Sequence, residues 1–447
     1  MFDLEENIRA WSDRLRGRGK MKEEDVQELE SHLRDEIDDL TGAGLAPDEA
    51  FIISVKRLGN VNAISGEYSK LGMAAFWKQL LTDRPDRAAV REGRRKLLLA
   101  VLLALLAGTA FKLPDFLQLG LSETMILKNA GLCLFPFMGL YFLATKRMSS
   151  KYWLSTLGIC GLSALIVNLY PSLGAADTAY LTAIHLPLFL WLVVGVAYAG
   201  DGWRTCRDRM DFIRFTGELF IYGVLICCGI TVLAAFLLMI FSSIGVDLSV
   251  FVTNYLAVYG FCAAALVAAY LVEAKKSVVE NFAPVLAKIF SPLFLAGLAA
   301  FLIVMLVSGK SPYVERDFLI GFDLMLAAVL GLVVYGISAR GLHDGPGVSD
   351  YINFALIVAA LVVDAIALSA ILYRLSAFGV SPNKLAALGE NVILLVNLGG
   401  LAVLYVRFFR KKADFSVLER WQTFYLWVFA AWFAFVAFAF PLIFRFQ

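Results

Sequence analysis

The chain has 447 residues, of which 60% are hydrophobic and 17% are charged, and its mean hydropathy is +0.72. Soluble proteins are about 45–50% apolar, so this composition excludes an ordinary soluble protein. The net charge of +2 gives no reason to expect a nucleic-acid partner. Charge is concentrated at the start, because residues 1–96 hold 17 of the 40 Lys and Arg and 19 of the 38 Asp and Glu.

Residues 1–72 are predicted to form a small helical domain. Apolar residues recur at spacings of three and four from Val26 to Leu40, which is typical of a helix with one buried face. Gly42 and Gly44 end this helix, and Pro47 begins the next. Four helices are expected, at about 3–16, 22–41, 48–58 and 61–71.

The segment ELESHLRDEIDDLTGAGLAPDEAFIISVKRLGN, which starts at Glu28, resembles the permease prefix domain of bacterial membrane proteins. The matching motifs are E-x-x-x-H-L-x-D-x-I, the G-L-x-P-x-E-A turn and the R-L-G-N ending. The resemblance implies a cytoplasmic regulatory or interaction module without catalysis. A cytoplasmic protein partner is therefore expected to dock through residues 1–72.

One face of the second predicted helix carries Glu28, His32, Asp35 and Glu36. This face has three interpretations: a metal site, a partner-docking patch, or a solvated face with contacts such as Glu30 to Arg34. One histidine with scattered acids is a weak metal site, so the solvated face is favoured over the metal site. A partner-docking acidic patch is favoured over both of these interpretations, and no metal or cofactor is expected.

Residues 73–96 are predicted to link the small domain to the membrane. Apolar residues from Met73 to Leu81 suit a helix lying on the membrane surface, and the Arg and Lys residues at 84–96 suit anionic headgroups. The alternative is a plain linker whose charges set the orientation of the protein in the membrane.

Residues 97–447 are predicted to form a transmembrane domain. Apolar runs near 20 residues are typical of membrane-spanning helices, because lipid offers the backbone no hydrogen-bond partners. The fold class is therefore all-α, a polytopic bundle of about eleven spans whose chemical partner is the lipid bilayer. The spans are placed near 97–113, 125–145, 152–170, 180–199, 215–244, 250–273, 284–308, 318–339, 351–373, 389–406 and 421–443.

The short loops between these spans alternate between many and few Lys and Arg residues. Because the basic loops stay in the cytoplasm, this alternation places the N-terminus inside and Gln447 outside. With the resemblance above, the predicted location is the bacterial inner membrane.

Two ionisable residues stand out well inside predicted spans, whereas Glu218, Glu273, Asp323 and Glu390 lie near the ends of theirs, where the membrane tolerates charge more easily. Asp364 stands slightly beyond the middle of the ninth span, where a charge is costly unless another span supplies a partner. It is either a proton or cation site, or a structural carboxyl that ties helices together. His185 precedes Pro187, which can break its helix; it is either functional or an interhelical hydrogen-bond former.

The loop after Asp364 reads RLSAFGVSPNK and begins at Arg374. It resembles the R-x-S-x-x-G-x-[ST]-P-N-[RK] loop of a bacterial inner-membrane family of unknown function, which implies shared fold and no established activity. The motif positions are Arg374, Ser376, Gly379, Ser381, Pro382, Asn383 and Lys384. Arg374, Ser376, Asn383 and Lys384 are candidate binding residues; the alternative is a rigid turn whose cations reach the headgroups.

These observations favour a membrane sensor or regulatory scaffold with a cytoplasmic docking module. The alternative is a secondary transporter that uses the carboxylate of Asp364. A membrane-embedded enzyme comes third, because the three histidines, at 32, 185 and 343, are far apart in the chain. The sequence predicts no substrate, signal or oligomeric state.

Overall fold

A computed structural model describes residues 4–16, 23–42, 46–58, 87–171, 177–274, 282–308, 313, 316–340 and 345–446. These residues form helices joined by turns, with no strand among them, so the all-α prediction is confirmed. The chain divides into two compact units, Met1–Arg91 and Glu92–Gln447.

The first unit contains three described helices, α1 (Leu4–Arg16), α2 (Glu23–Gly42) and α3 (Pro47–Leu58). Their apolar faces meet in a small core, as the spacing of apolar residues predicts; its members are Ile8, Trp11, Leu33, Ile37 and Ala50. The predicted helix at 61–71 and the amphipathic stretch at 73–81 lie outside the described residues.

The second unit is a bundle of long apolar helices. In chain order they are α4 (Arg87–Phe116), α5 (Glu123–Thr145), α6 (Ser150–Leu169), α7 (Asp177–Ala199), α8 (Cys206–Ser243), α9 (Ser249–Ala274), α10 (Phe282–Ser308), α11 (Arg316–Ser338), α12 (Val348–Phe378), α13 (Pro382–Phe409) and α14 (Ser416–Ile443). Within the described residues, 10 helices are long and apolar enough to cross a membrane. The remaining one, α10, contains a shorter apolar stretch, Lys288–Ile303. The chain is a multi-pass membrane protein.

Several helices extend beyond the predicted spans. The helix of the first span begins at Arg87 rather than at 97, and α13 begins at Pro382 rather than at 389. At α13 the cause is local: Ser381 caps the helix by accepting a hydrogen bond from the Lys384 backbone, and Pro382 suits the first turn. An apolar run cannot reveal such polar first turns.

Two apolar clusters form the core of the bundle. One lies mainly among α10, α11, α12 and α13, and the other mainly among α4, α5, α7, α8 and α9. Helix α14 contributes to both clusters. Helices α7, α11 and α13 begin on one side of the bundle, here named the upper side, because contacts near their first residues join His185 to Glu390 and Asp323 to Asn391. Helix α12 ends on the same side, since only residues 379–381 separate it from α13. The opposite side is named the lower side.

Candidate functional site

A histidine and a glutamate join the two core clusters in the upper half of the bundle. His185 on α7 and Glu390 on α13 each lie eight residues after the first residue of their helix, or about 12 Å along it. Their Nε2 and Oε1 atoms are 2.6 Å apart. His185 is buried and its ring packs edge-on against Phe433, whereas the Glu390 side chain is 32% exposed. The pair is therefore buried at its imidazole end and partly exposed at its carboxyl end.

The bonds of His185 fix how many protons the pair holds. Its Nδ1 atom lies 2.8 Å from the Leu181 carbonyl oxygen, which can only accept, so Nδ1 carries a hydrogen. The contact between Nε2 and Glu390 then needs one further proton, on either the imidazole or the carboxyl. The pair thus holds one proton that either partner can carry.

Asp323 and Asn391 form a second polar contact beside this pair. The Asn391 amide donates to Asp323 Oδ1 at 2.9 Å and to the Ala387 carbonyl at 2.8 Å. Because Glu390 and Asn391 are adjacent on α13, one residue meets α7 while the other meets α11. Glu390 also lies close enough for its charge to act on Asp323.

Asp364 lies deepest, at the centre of α12. Its side chain is 0% exposed, and neither carboxyl oxygen has a hydrogen-bond partner within the part of the chain that the structure describes. The charge that acts on Asp364 is that of the Asp323 carboxyl, which has the same sign. The Oδ1 atom of Asn391 is also buried without a described partner. The sequence predicted that another span would supply a partner for Asp364; the described residues supply a second acid instead.

A local distortion of α14 borders the His185 pair. Residues Phe435–Ala439 form a π-helical turn, which frees backbone carbonyls from the regular ladder. The Thr182 hydroxyl donates to the Ala437 carbonyl at 3.2 Å, and the Tyr170 hydroxyl donates to the Phe438 carbonyl at 2.9 Å. The Thr182 bond holds α14 against α7 about one turn from His185, and the Tyr170 bond holds α14 against the end of α6. Helix α7 itself continues through Pro187, so the break considered there does not occur.

The candidate binding residues of the loop at 374–384 lie at the upper end of the bundle, where α12 meets α13. Lys384 donates to the carbonyls of Phe378 and Gly379, at 3.2 and 2.7 Å, and so caps the end of α12. The Ser376 hydroxyl donates to the Tyr373 carbonyl. Arg374 and Asn383 are both half-buried. Gly379 has a φ of 72°, which favours glycine at this turn. These contacts favour the rigid-turn interpretation for Lys384 and Ser376.

The docking candidates lie on α2 in the first unit. His32 and Asp35 are exposed, Glu36 is half-buried, and Glu28 lies on the helix with its side chain outside the described residues. Arg34, in contrast, forms ion pairs with Glu5 at 2.6 Å and with Glu30 at 3.1 Å, so the predicted contact between Glu30 and Arg34 is confirmed.

Among the residues that the structure describes, no group of three or more His, Cys, Asp and Glu side chains is arranged to hold a metal ion. Comparisons with family models, curated proteins and solved structures find no match to this chain.

Sequence reasoning identified Asp364 and His185 but missed Asp323 and Glu390. Both were placed near helix ends, where charge is tolerated. The early start of α13 puts Glu390 two turns inside its helix, next to His185. The signal that could have found it is the Ser-Pro-Asn sequence at 381–383, which marks the true start of the helix.

Proposed function

We propose that the protein is a secondary transporter in which Asp364 binds the coupling cation, either a proton or a small metal cation. The observation that carries the proposal is a fully buried carboxyl at mid-membrane depth and beside a second acid, with no hydrogen-bond partner for either oxygen among the described residues. An ionised group in that position is costly, and intramembrane acids mark ion and proton paths.

A bound cation removes this cost. Without one, Asp364 and Asp323 place two like charges in a poorly solvated region, and repulsion is strong there because the local dielectric constant is low. A proton or small cation neutralises one of them. Because Asp364 lies between both faces of the membrane, a shift of the surrounding helices exposes it to one side or the other, as alternating access requires.

The test compares solute accumulation in cells that express the wild-type chain or Asp364→Asn at equal abundance. Untargeted mass spectrometry of cells and medium identifies solutes whose distribution depends on the protein. The proposal expects at least one such solute with wild type, none with Asp364→Asn, and loss of the gradient after a protonophore or an ionophore collapses the driving force. An Asp364→Asn protein that accumulates the same solute as wild type would overturn it.

A second candidate is the membrane sensor or regulatory scaffold that the sequence favours. The observation behind it is that residues Met1–Arg91 form a compact unit with its own apolar core and an exposed His32 and Asp35. In that case deletion of residues 1–72 abolishes the phenotype while the membrane unit still inserts. A crosslinking pull-down that recovers a partner only with the full chain supports this candidate.

The location proposed for both functions is the bacterial inner membrane, with the upper side outside and the N-terminus in the cytoplasm. The excess of Lys and Arg in the lower-side loops supports this orientation. The likeness of residues 28–60 to the permease prefix domain supports the bacterial assignment. A fluorescent protein fused to Gln447 that glows, with a silent phosphatase fusion, would reverse the orientation.

A further inference from the structure

We propose that the cation bound at Asp364 is a proton, and that it reaches Asp364 from the upper side by way of Glu390 with His185 and then Asp323. This inference rests on the proposed function and specifies its coupling ion and route.

The three acids of this cluster differ in burial. Glu390 and Asp323 are half-buried, whereas the Asp364 side chain is 0% exposed. The hydrogen bond between Asp323 and Asn391 places Asp323 beside the residue that follows Glu390, and α11 packs against α12, which carries Asp364. The three acids therefore lie on adjoining helices, α13, α11 and α12, and Asp364 is the fully buried one of the three.

The pair of Glu390 and His185 is suited to carry a proton. The bonds of His185 to Leu181 and Glu390 require the pair to hold one proton that either partner can carry. Imidazole and carboxyl groups exchange protons readily. Small hard cations, by contrast, take oxygen ligands, and a protonated ring nitrogen is no ligand at all. A histidine at this position fits a proton path better than a metal-ion path.

Asp364 is suited to receive the proton. Neither of its oxygens has a hydrogen-bond partner among the described residues, and a protonated Asp364 is neutral in the apolar interior. The transfer is balanced: the acid form of the Glu390–His185 pair loses a proton, Asp323 carries it onward, and the carboxylate of Asp364 gains it. A new proton from the upper side restores the pair.

Other charged groups near this route are few. Helix α5, which packs against α7, carries Lys128, whose ammonium donates to the Val167 carbonyl at 3.0 Å. Helix α14 has no charged residue between Arg420 and Arg445, and α10 has only Lys288. Tyr335, Asp350 and Tyr405 also interact with charged groups, but they lie toward the lower ends of α11, α12 and α13, away from the route.

The experiment is infrared difference spectroscopy of the purified full chain in lipid. A carboxylic-acid C=O band that is present in wild type and absent in Asp364→Asn reports the protonated acid. Exchange from H₂O to D₂O shifts this band, and the shift is followed in time. We expect Glu390→Gln and Asp323→Asn to slow the shift by about a hundredfold, the lower end for removal of a positioned acid or base.

The matched control is Glu123→Gln, an exposed glutamate at the upper-side start of α5, which leaves the rate unchanged. A thermal melt of each variant checks that it is folded. If the band exchanges as fast in Glu390→Gln and Asp323→Asn as in wild type, the route is overturned while Asp364 remains the cation site.

A second measurement separates the proton from a metal cation. Lipophilic carbodiimide modifies a protonated carboxyl, and its product on Asp364 is quantified by mass spectrometry. The proposal expects no protection by sodium, potassium or lithium chloride compared with choline chloride. If one of these salts protects Asp364 and the acid band is absent, the coupling ion is a metal cation and not a proton, and the proposed function stands. If the band, the labelling and the protection are all absent, both the proton route and the proposed function are overturned.

Discussion

The lower side of the bundle and the interior of its upper half use charge in opposite ways. On the lower side, Arg340 meets Asp350 at 2.9 Å, with its guanidinium 4.1 Å from the centre of the Phe415 ring. Lys146 donates to the Tyr198 carbonyl at 2.7 Å and lies 3.7 Å from Glu273. In the upper half, the charge of Asp323 acts on a second acid, Asp364, and Asp364 has no hydrogen-bond partner among the described residues.

This difference separates charges that are paired within the protein from an acid that has no partner among the described residues. A buried ion pair with opposite charges is satisfied within the protein, and removing one partner leaves an uncompensated charge. A buried acid whose neighbour is another acid gains no such pairing, and under the proposed function a bound cation neutralises it. The aspartates at 350 and 364 therefore have different surroundings, and the proposal gives them different roles.

The largest expected effect comes from breaking the lower-side pair. Arg340→Ala leaves Asp350 buried and unpaired, and we expect the free energy of unfolding to fall by about 3–5 kcal/mol. Reversible unfolding in mixed detergent micelles measures this. The double variant Arg340→Met with Asp350→Leu removes both charges and is expected to regain most of the loss. If the double variant is as unstable as Arg340→Ala, the pairing of charge is not the cause.

An intermediate effect is expected at the helix contact behind Glu390. A Cβ atom at Gly389 collides with the ring of Trp432 on α14, so this glycine allows the close approach of α13 and α14. Gly389→Ala is expected to cost about 1–3 kcal/mol through overpacking. Gly399→Ala on the same helix is the control, because a Cβ there has nothing within 4 Å. Equal stability of the two variants in the same micelle assay would contradict this account of the contact.

The helices and the contacts between them could be predicted from the sequence to different degrees. Apolar runs predicted the helices, and the depth of Asp364 in its run predicted its burial. The pairing of His185 with Glu390 joins residues 205 positions apart, so only the packing of α7 against α13 reveals it. The π-helical turn at 435–439 was not predicted, although Pro441, which has no N–H to donate to the Ala437 carbonyl four residues earlier, is a sequence signal for an irregular turn there.

The smallest expected effect lies on the surface of the first unit. The hydrogen bond from Arg34, and then the charges of Arg34 and Arg9, hold the pKa of Glu5 below its usual value of 4.5. The stability that this pair contributes is therefore present above pH 4.5 and is lost as the pH falls through the lowered pKa. Hydrogen exchange of α1 in the full chain, corrected for intrinsic rates, is expected to rise slightly over that range.

Arg34→Met serves as the matched variant for this titration. Without the guanidinium, the pH-dependent part of the α1 exchange is expected to shrink toward zero, and high salt is expected to have a similar, weaker effect because exposed charges are screened. An unchanged pH profile in Arg34→Met would show that other groups cause the dependence.

The most direct test of the central claim compares two isosteric changes, Asp364→Asn and Asp350→Asn, by unfolding under identical conditions. The account predicts that Asp350→Asn destabilises the protein by about 3 kcal/mol, since it strips Arg340 of its counter-charge. It predicts that Asp364→Asn leaves stability unchanged or raises it, since no described partner is lost and an acidic neighbour is relieved. A loss of stability in Asp364→Asn as large as that in Asp350→Asn would contradict the claim, because Asp364 would then be a structural carboxyl.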